Sequence, residues 1–236
     1  MRAIILAAGM GTRLRPLTDN LPKGLVPVNG MPMVEKQVIF LKEAGIDEII
    51  IVTGYINEKF DYLEEKYGVK LIFNEKYDIY NNIYTMYLVR EYLSDAYVLE
   101  GDIFMNNNVI DKNIKRSTYF GGREKNAFTK EWMFKTNAEG RILNMEMEPG
   151  ENEVIFRGIS YWTEKDGSFI ADKLKEAVNT AGFDNLYWDD VVKENIDGVD
   201  LYLEVLNDID LFEIDSMNDL NNVEAILQVA AEKAKR

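Results

Sequence analysis

Apolar runs and helical patterns alternate along the first half of the chain. Ala3 to Ala8 are six apolar residues in succession, which predicts a strand buried on both faces. The run then breaks at Gly9 and Gly11, whose missing side chains let backbone approach a ligand. Leu25 to Val28 is a short apolar piece. From Met33 to Ala44 apolar residues recur at helical spacing through Val34, Val38 and Leu41, and Gly45 supplies the stop. Glu48 to Val52 predicts a second strand, Gly54 a turn, Asn57 the cap of a helix running toward Tyr67, and Val69 to Phe73 a third strand. Asn74 to Leu88 begins as a polar loop rich in Asn and Tyr and continues as a helix from Asn82, burying Ile83, Met86 and Tyr87. Tyr97 to Leu99 predicts the next strand, which ends at Glu100-Gly101-Asp102. This alternation predicts an α/β fold with a mostly parallel central sheet flanked by helices and ligands at the carboxyl ends of its strands.

Beyond Ser117 the period shortens. Thr118 to Phe120, Trp132 to Thr136, Ile142 to Met147 and Val154 to Trp162 predict strands, with a turn at Gly140, so an antiparallel elaboration is laid on the parallel core. Helices follow from Thr163 to about Thr180 and from Leu186 to Ile196. A late strand ends near Phe212, and Ser216 caps an amphipathic closing helix.

Composition narrows the chemistry. A chain of 236 residues buries a good core and reads as one domain, 1–236. The net charge of -14 argues against general binding to nucleic acid or to an anionic membrane, while a local cluster of Arg and Lys still suits a small anion. There is no cysteine and no histidine, which excludes thiolate or imidazole metal sites and any Ser-His-Asp triad. The amino-terminal apolar run yields to the glycine loop too soon for a signal peptide, and no run reaches membrane-spanning length. The expectation is a cytoplasmic protein without membrane insertion, compatible with a homo-oligomer.

Arg13, Arg15 and Lys23 follow the glycine loop closely. Backbone N–H groups with a planar guanidinium and a compact ammonium suit the phosphates of a nucleotide. A pair of glycines after a strand is also a common tight turn, and neither the third glycine of the dinucleotide fingerprint nor a Walker Gly-Lys-Ser/Thr is present. Asp102, at a central strand's end, and Asp215, before the last helix, together suit magnesium; each is also explicable as a turn or cap residue. The Asn and Tyr of the 74–84 loop read equally as helix capping with aromatic packing or as contacts to a pyrimidine edge. Tyr187-Trp188-Asp189-Asp190 sets two rings against two carboxylates, as a quaternary ammonium requires. Core packing is the competing reading for these rings and for Trp132 and Trp162.

The string Gly9-x-Gly11-Thr12-Arg13-Leu14-x-Pro16-Leu17-Thr18, with Pro22-Lys23 behind it, resembles the signature of the nucleotidyltransferases that make sugar nucleotides and related activated head groups. Gly101-Asp102 and Ile214-Asp215-Ser216-Met217-Asn218-Asp219-Leu220 resemble that family's metal-holding segments, so the resemblance spans both ends of the chain. It implies a Rossmann-like fold in which Leu6, Ala7, Ala8, Gly9, Gly11, Thr12, Arg13, Lys23, Tyr80 and Asn82 hold the nucleotide. It further implies catalytic roles for Lys23 and Arg13, and Mg2+ on Asp102 and Asp215.

The short length, Tyr80-Asn81-Asn82-Ile83-Tyr84 and Leu186-Tyr187-Trp188-Asp189 resemble more closely the bacterial choline-phosphate cytidylyltransferases. That resemblance implies CTP and a phosphorylated amine as substrates, with Tyr187, Trp188, Asp189, Trp132 and Trp162 around the acceptor. On this reading 1–116 is mainly nucleotide-binding core, 117–198 mainly acceptor-binding and 199–236 the closing strand and helix with a metal ligand. Sugar nucleotidyltransferases commonly carry Glu-Lys-Pro where this chain has Met147-Glu148-Pro149, and a glutamate there is expected to repel a sugar phosphate. The alternatives are a cytidylyltransferase for aminoethylphosphonate or phosphoethanolamine, a sugar-1-phosphate nucleotidyltransferase, and a nucleotide-binding regulatory protein without chemistry.

Overall fold

A computed structural model describes residues 1–234. Strand β1 (Arg2–Ala7) leads into the glycine loop, which winds through three single 3-10 turns before the small ribbon of β2 (Pro27–Val28) and β3 (Met31–Pro32). Helix α1 (Met33–Glu43) follows and buries Val34, Gln37, Val38 and Leu41 on one face, the i, i+3, i+4, i+7 pattern of a core-facing helix. It ends where the sequence placed a stop: Gly45 has φ 80°, and Ile46 N–H and Gly45 N–H close back on the carbonyls of Leu41 and Lys42 at 2.9 Å each. Next come β4 (Ile49–Thr53), α2 (Asp61–Tyr67), β5 (Lys70–Phe73), α3 (Asn82–Val89), β6 (Ala96–Glu100) and β7 (Ile103–Met105). The second half contains β8 (Ser117–Glu124), β9 (Phe128–Thr136), β10 (Ile142–Gly150), β11 (Glu153–Trp162), α4 (Glu164–Val178), α5 (Trp188–Glu194), β12 (Leu201–Val205), β13 (Leu211–Glu213) and α6 (Met217–Ala234).

β5, β4, β1 and β6 pair in that order and are all parallel, with β1 at the centre of the group. Beyond β6 the sheet turns antiparallel: β11 pairs with β6, and β8 with β11, while β12 closes that edge parallel to β8. The β9–β10 hairpin joins farther along β11, through Ile155 opposite Met133. One strand thus belongs to both the parallel core and the elaboration. The change of partner coincides with a register shift between Phe156 and Ile159, where Gly158 takes φ 67°.

Two apolar clusters cover the faces of the sheet. One packs α1 and α2 against Ala3, Ile5 and Ile51, and the other packs α3, α4 and α5 against Ile4, Val52 and Val98. A third cluster sits apart and joins Leu14 and Val26 of the glycine loop region to Ile214, Leu220 and Val223 beside and on α6. It locks the amino-terminal loop onto the carboxyl-terminal helix, and the two-stranded β7–β13 ribbon lies next to it.

The Rossmann-like sheet with its antiparallel extension agrees with expectation, and two local expectations are corrected. Asn57 does not cap a helix: it opens a tight 3-10 turn, Asn57–Phe60, entered through Ile56 at φ 48°, and α2 begins only at Asp61. The left-handed residue diverts the chain before Asn57, so its side chain lies within the turn. Helix α5 starts at Trp188 rather than Leu186, because Asp190 accepts a hydrogen bond from Tyr187 N–H at 2.8 Å and fixes Tyr187 just outside the helix.

A methyl group on Gly158 would stand 2.6 Å from Ile103 Cγ1, on a backbone conformation that disfavours any side chain. Gly158→Ala is therefore expected to lower unfolding stability by about 1–3 kcal/mol in urea titration. An unchanged midpoint would show that the strand relaxes freely at the point of partner exchange.

Candidate active site

The loop after β1 is shaped by close approaches. Gly11 has φ 60°, and a Cβ there would lie 2.7 Å from Lys23 Cβ, so only glycine lets the start of the loop lie against Lys23. Thr18 Oγ1 donates to the Gly11 carbonyl at 2.8 Å and pins the same turn. Gly24 is equally tight, since a Cβ would meet Val34 Cγ2 of α1 at 2.6 Å. Lys23 is thus gripped by glycine contacts on both sides and its side chain is directed to the ends of two distant strands.

There it meets two carboxylates. Lys23 Nζ donates to Asp102 Oδ2 at 2.5 Å and to Asp215 Oδ1 at 2.6 Å, and Arg13 reaches Asp215 Oδ1 at 2.8 Å. Burial alone would lower the Lys23 pKa, but the two carboxylates outweigh it and hold the ammonium well above its ordinary value. Burial would likewise raise Asp215; Lys23 and Arg13 prevail and keep it below the usual carboxylate range. Ile214 N–H donates to the Asp102 carbonyl at 3.1 Å, tying the two acidic loops together directly. Glu213 stands beside them, and burial followed by the charges of Asp102 and Asp215 pushes it up to about 8. Glu100 is raised well above its usual range by burial and by Asp102, Asp189 and Glu213.

Three of these side chains fit a hard cation. One carboxylate oxygen from each of Asp102, Glu213 and Asp215 lies within 4.8 Å of the others, and Asp102 Oδ1 is buried without a hydrogen-bond partner. Oxygen donors of this kind, with room for phosphate oxygens, suit magnesium.

These groups form the floor of a cavity of about 580 Å³. Leu6, Ala7, Ala8 and Gly9 line one side with Tyr77, Tyr80, Asn82 and Thr85. Asn82 Oδ1 accepts from Trp188 N–H at 2.9 Å, so the start of α3 is joined to the start of α5. Trp132, Met147, Phe156, Tyr187 and Asp189 line the other end. Tyr119 donates to Asp189 Oδ1 at 2.7 Å; burial nevertheless pushes the Asp189 carboxyl up to about 7, with Asp190 adding to the rise. The ammonium of Lys130 lies 5.9 Å from the centre of the Tyr187 ring. Six carboxylates line the cavity beside Arg13, Lys23 and Lys130, and the upward shifts of Glu100, Glu213 and Asp189 show that these three resist being ionised together.

The structure brings most of the expected residues to this cavity and withholds four. Gly11 and Thr12 are not on its wall; Gly11 acts through Lys23. Trp162 and Trp188 do not face it either. They are buried in the core, 5.7 Å apart between ring centres, and Tyr119 packs edge-on against both. Their placement on the acceptor wall is corrected: the strand and helix that carry them turn these large rings inward, where their area is buried. Glu148 is exposed and off the cavity, whereas Met147 lines it, so the expected repulsion by Glu148 has no geometric basis. Sequence reasoning passed over Glu100 and Glu213. Each lies two residues before an aspartate already singled out, the spacing that puts extended residues on one face.

Asp189 generates a pH expectation. In the unfolded chain it titrates near ~3.9, and in the folded protein near 7, so between these values the folded state binds the extra proton. Stability therefore falls as pH rises through that window, by up to ~1.4 kcal/mol per pH unit from this group. Asp189→Asn is expected to remove this contribution, so that wild type loses stability relative to the variant from about pH 4 to about pH 7. Parallel urea-unfolding profiles would show that Asp189 is ionised throughout.

Residues 2–129 match the family model described as Nucleotidyl transferase. The chain is 43% identical to choline-phosphate cytidylyltransferase of Streptococcus pneumoniae over 97% of its own length and 99% of that protein. It is 35% identical to 2-aminoethylphosphonate cytidylyltransferase of Lancefieldella rimae, covering 92% and 89% of the two chains. A solved structure of CTP:phosphocholine cytidylyltransferase from Streptococcus pneumoniae superposes with TM-score 0.92 at 44% identity, over 96% of this chain and 98% of that one. With the glycine loop, Lys23 and the paired aspartates meeting on one cavity, the chain belongs to the nucleotidyl transferase family, in the group that includes the choline-phosphate cytidylyltransferases.

Proposed function

We propose that this enzyme transfers a cytidylyl group from CTP to phosphocholine, giving CDP-choline and pyrophosphate. The observation that carries the choice of acceptor is the charge of the cavity. Its acidic floor and its aromatic end at Trp132 and Tyr187 favour a substrate that brings its own cation, and a trimethylammonium has no N–H to satisfy. Ring faces attract such a cation by ~0.5 to 2 kcal/mol each, and Asp189 at the same end, once ionised, would supply the counter-charge.

A phosphate oxygen of phosphocholine attacks the alpha phosphorus of CTP. A new P–O bond forms, the bond from the alpha phosphorus to the alpha-beta bridging oxygen breaks, and pyrophosphate leaves with that electron pair. The second pKa of a phosphomonoester is near ~6, so the nucleophile is already a dianion at neutral pH and no general base is required. This agrees with a chain that has no histidine. The work left to the protein is orientation and charge stabilisation. Arg13 would hold the triphosphate tail. Lys23 would neutralise the reacting phosphates, and its ion pairs with Asp102 and Asp215 fix its ammonium on the cavity floor, where the two substrates would meet. Magnesium on Asp102 and Asp215, with Glu213 beside them, would screen the phosphate charges. Tyr80 and Asn82 would lie along the nucleotide, and Lys130 at the acceptor end is the remaining cation available to the acceptor phosphate.

Pyrophosphate release with magnesium tests this reading, with CTP and TTP each offered phosphocholine, phosphoethanolamine, aminoethylphosphonate and glucose-1-phosphate. Release with CTP and phosphocholine above the other pairs is expected; preference for the sugar phosphate or for a primary amine would overturn the assignment of the aromatic end. Lys23→Ala is expected to cost about 10²–10³ in kcat while circular dichroism shows the variant still folded, with a lowered thermal midpoint because Asp102 and Asp215 lose their partner. Tyr187→Ala is expected to raise the KM for phosphocholine by roughly 2- to 30-fold, whereas Trp188→Phe, whose ring is buried, leaves it nearly unchanged. The reverse order of those two effects would place the ammonium elsewhere.

A further inference from the structure

Gln37 occupies a place on α1 that its neighbours do not explain. The helix buries Val34, Val38 and Leu41 on the same face, and Gln37 among them is fully buried. Its Nε2 donates to the carbonyl of Glu100 at 2.8 Å and to the carbonyl of Ile103 at 2.7 Å. Those two residues flank Gly101-Asp102, so one carboxamide grips the backbone on both sides of the acidic turn. Its Oε1 is buried and has no partner, which is costly for an amide oxygen. Turning the carboxamide over would set that oxygen against two carbonyl oxygens, so the donor orientation is the only favourable one. A leucine or methionine would fill the position without an orphaned acceptor. What glutamine adds is the two-pronged clamp.

We infer that Gln37 is a positioning residue for Asp102. The turn is held at two other points, by Gly101 N–H on the Leu6 carbonyl at 2.9 Å and by Ile214 N–H on the Asp102 carbonyl at 3.1 Å. Packing also closes on it, since a Cβ at Gly101 would meet Ala7 Cβ at 2.9 Å. Gln37 supplies the remaining constraint from the helix side. With all of them in place, Asp102 Oδ2 meets Lys23 and Oδ1 stays buried and free of hydrogen bonds, available to a cation. Val34, one turn earlier on α1, packs against Gly24 and so supports the residue next to Lys23. The same helix face therefore aligns both members of the Lys23–Asp102 pair. This inference rests on the proposal that Asp102 holds a divalent cation.

The test is binding of Mn2+ in the presence of CTP, followed by electron paramagnetic resonance, in wild type, Gln37→Met and Gln37→Asn. Methionine keeps the volume and loses both donors; asparagine keeps an amide one methylene too short to span both carbonyls. Mn2+ affinity is expected to fall about 10- to 100-fold in Gln37→Met, while CTP affinity measured in EDTA stays unchanged. The Mg2+ concentration for half-maximal turnover is expected to rise in parallel. Should Gln37→Met fail to fold, Gln37→Asn carries the same test and the same expected direction. Wild-type Mn2+ affinity in a folded variant would overturn the inference, as would loss of CTP binding in proportion to loss of Mn2+. No Mn2+ binding by wild type with CTP would instead overturn the cation reading of Asp102, and the inference with it.

Discussion

The arrangement depends on one buried ammonium held between two carboxylates from distant parts of the chain. Lys23 is 79 residues from Asp102 and 192 from Asp215, so the contact exists only when the first strand, the central strand and the last ribbon are all in place. Charges taken out of water are costly unless paired, and a lysine left here without its partners would lose its proton or draw in solvent. The same pairing that stabilises Lys23 fixes it on the cavity floor, where two phosphorylated substrates would meet on the proposed reading. The third apolar cluster, from Leu14 to Val223, serves that geometry by fastening the glycine loop to α6.

On the proposed reading, the excess of carboxylates favours an acceptor that carries its own cation. Glu100, Glu213 and Asp189 are all raised by burial and by neighbouring charge, which shows how unfavourable it is to ionise every acid at once. Cations delivered by the substrates would relieve that crowding. A sugar phosphate brings only more negative charge, whereas a phosphorylated amine brings a positive group on a short tether. Discrimination between acceptors would then follow from electrostatics together with the shape of the aromatic end.

Much of this was legible in the sequence for local reasons. The run Ala3 to Ala8, the helical spacing of Val34, Val38 and Leu41, and Gly45 all express preferences that act within a few residues. Gly9, Arg13 and Lys23 were readable because a phosphate grip needs backbone and cations close together. The rings were not. Whether Trp132 or Trp188 faces a cavity depends on which neighbour turns it inward, and Tyr119 and Trp162, far along the chain, decide that for Trp188. Glu213 and Gln37 were missed for the same reason: a carboxylate in a strand and an amide in an apolar helix face acquire a role only from backbone brought to them by folding. Asn57 shows the converse, a good capping residue overruled by the left-handed residue before it.

The central claim is that both substrates share the cavity with their phosphates meeting at Lys23. A crystal structure of the protein with CDP-choline bound tests it most directly. The expected complex has both product phosphates within hydrogen-bonding reach of Lys23 and the trimethylammonium within ~6 Å of the Tyr187 and Trp132 ring centres. A product bound with its choline outside that aromatic end, or with its phosphates away from Lys23, would contradict it.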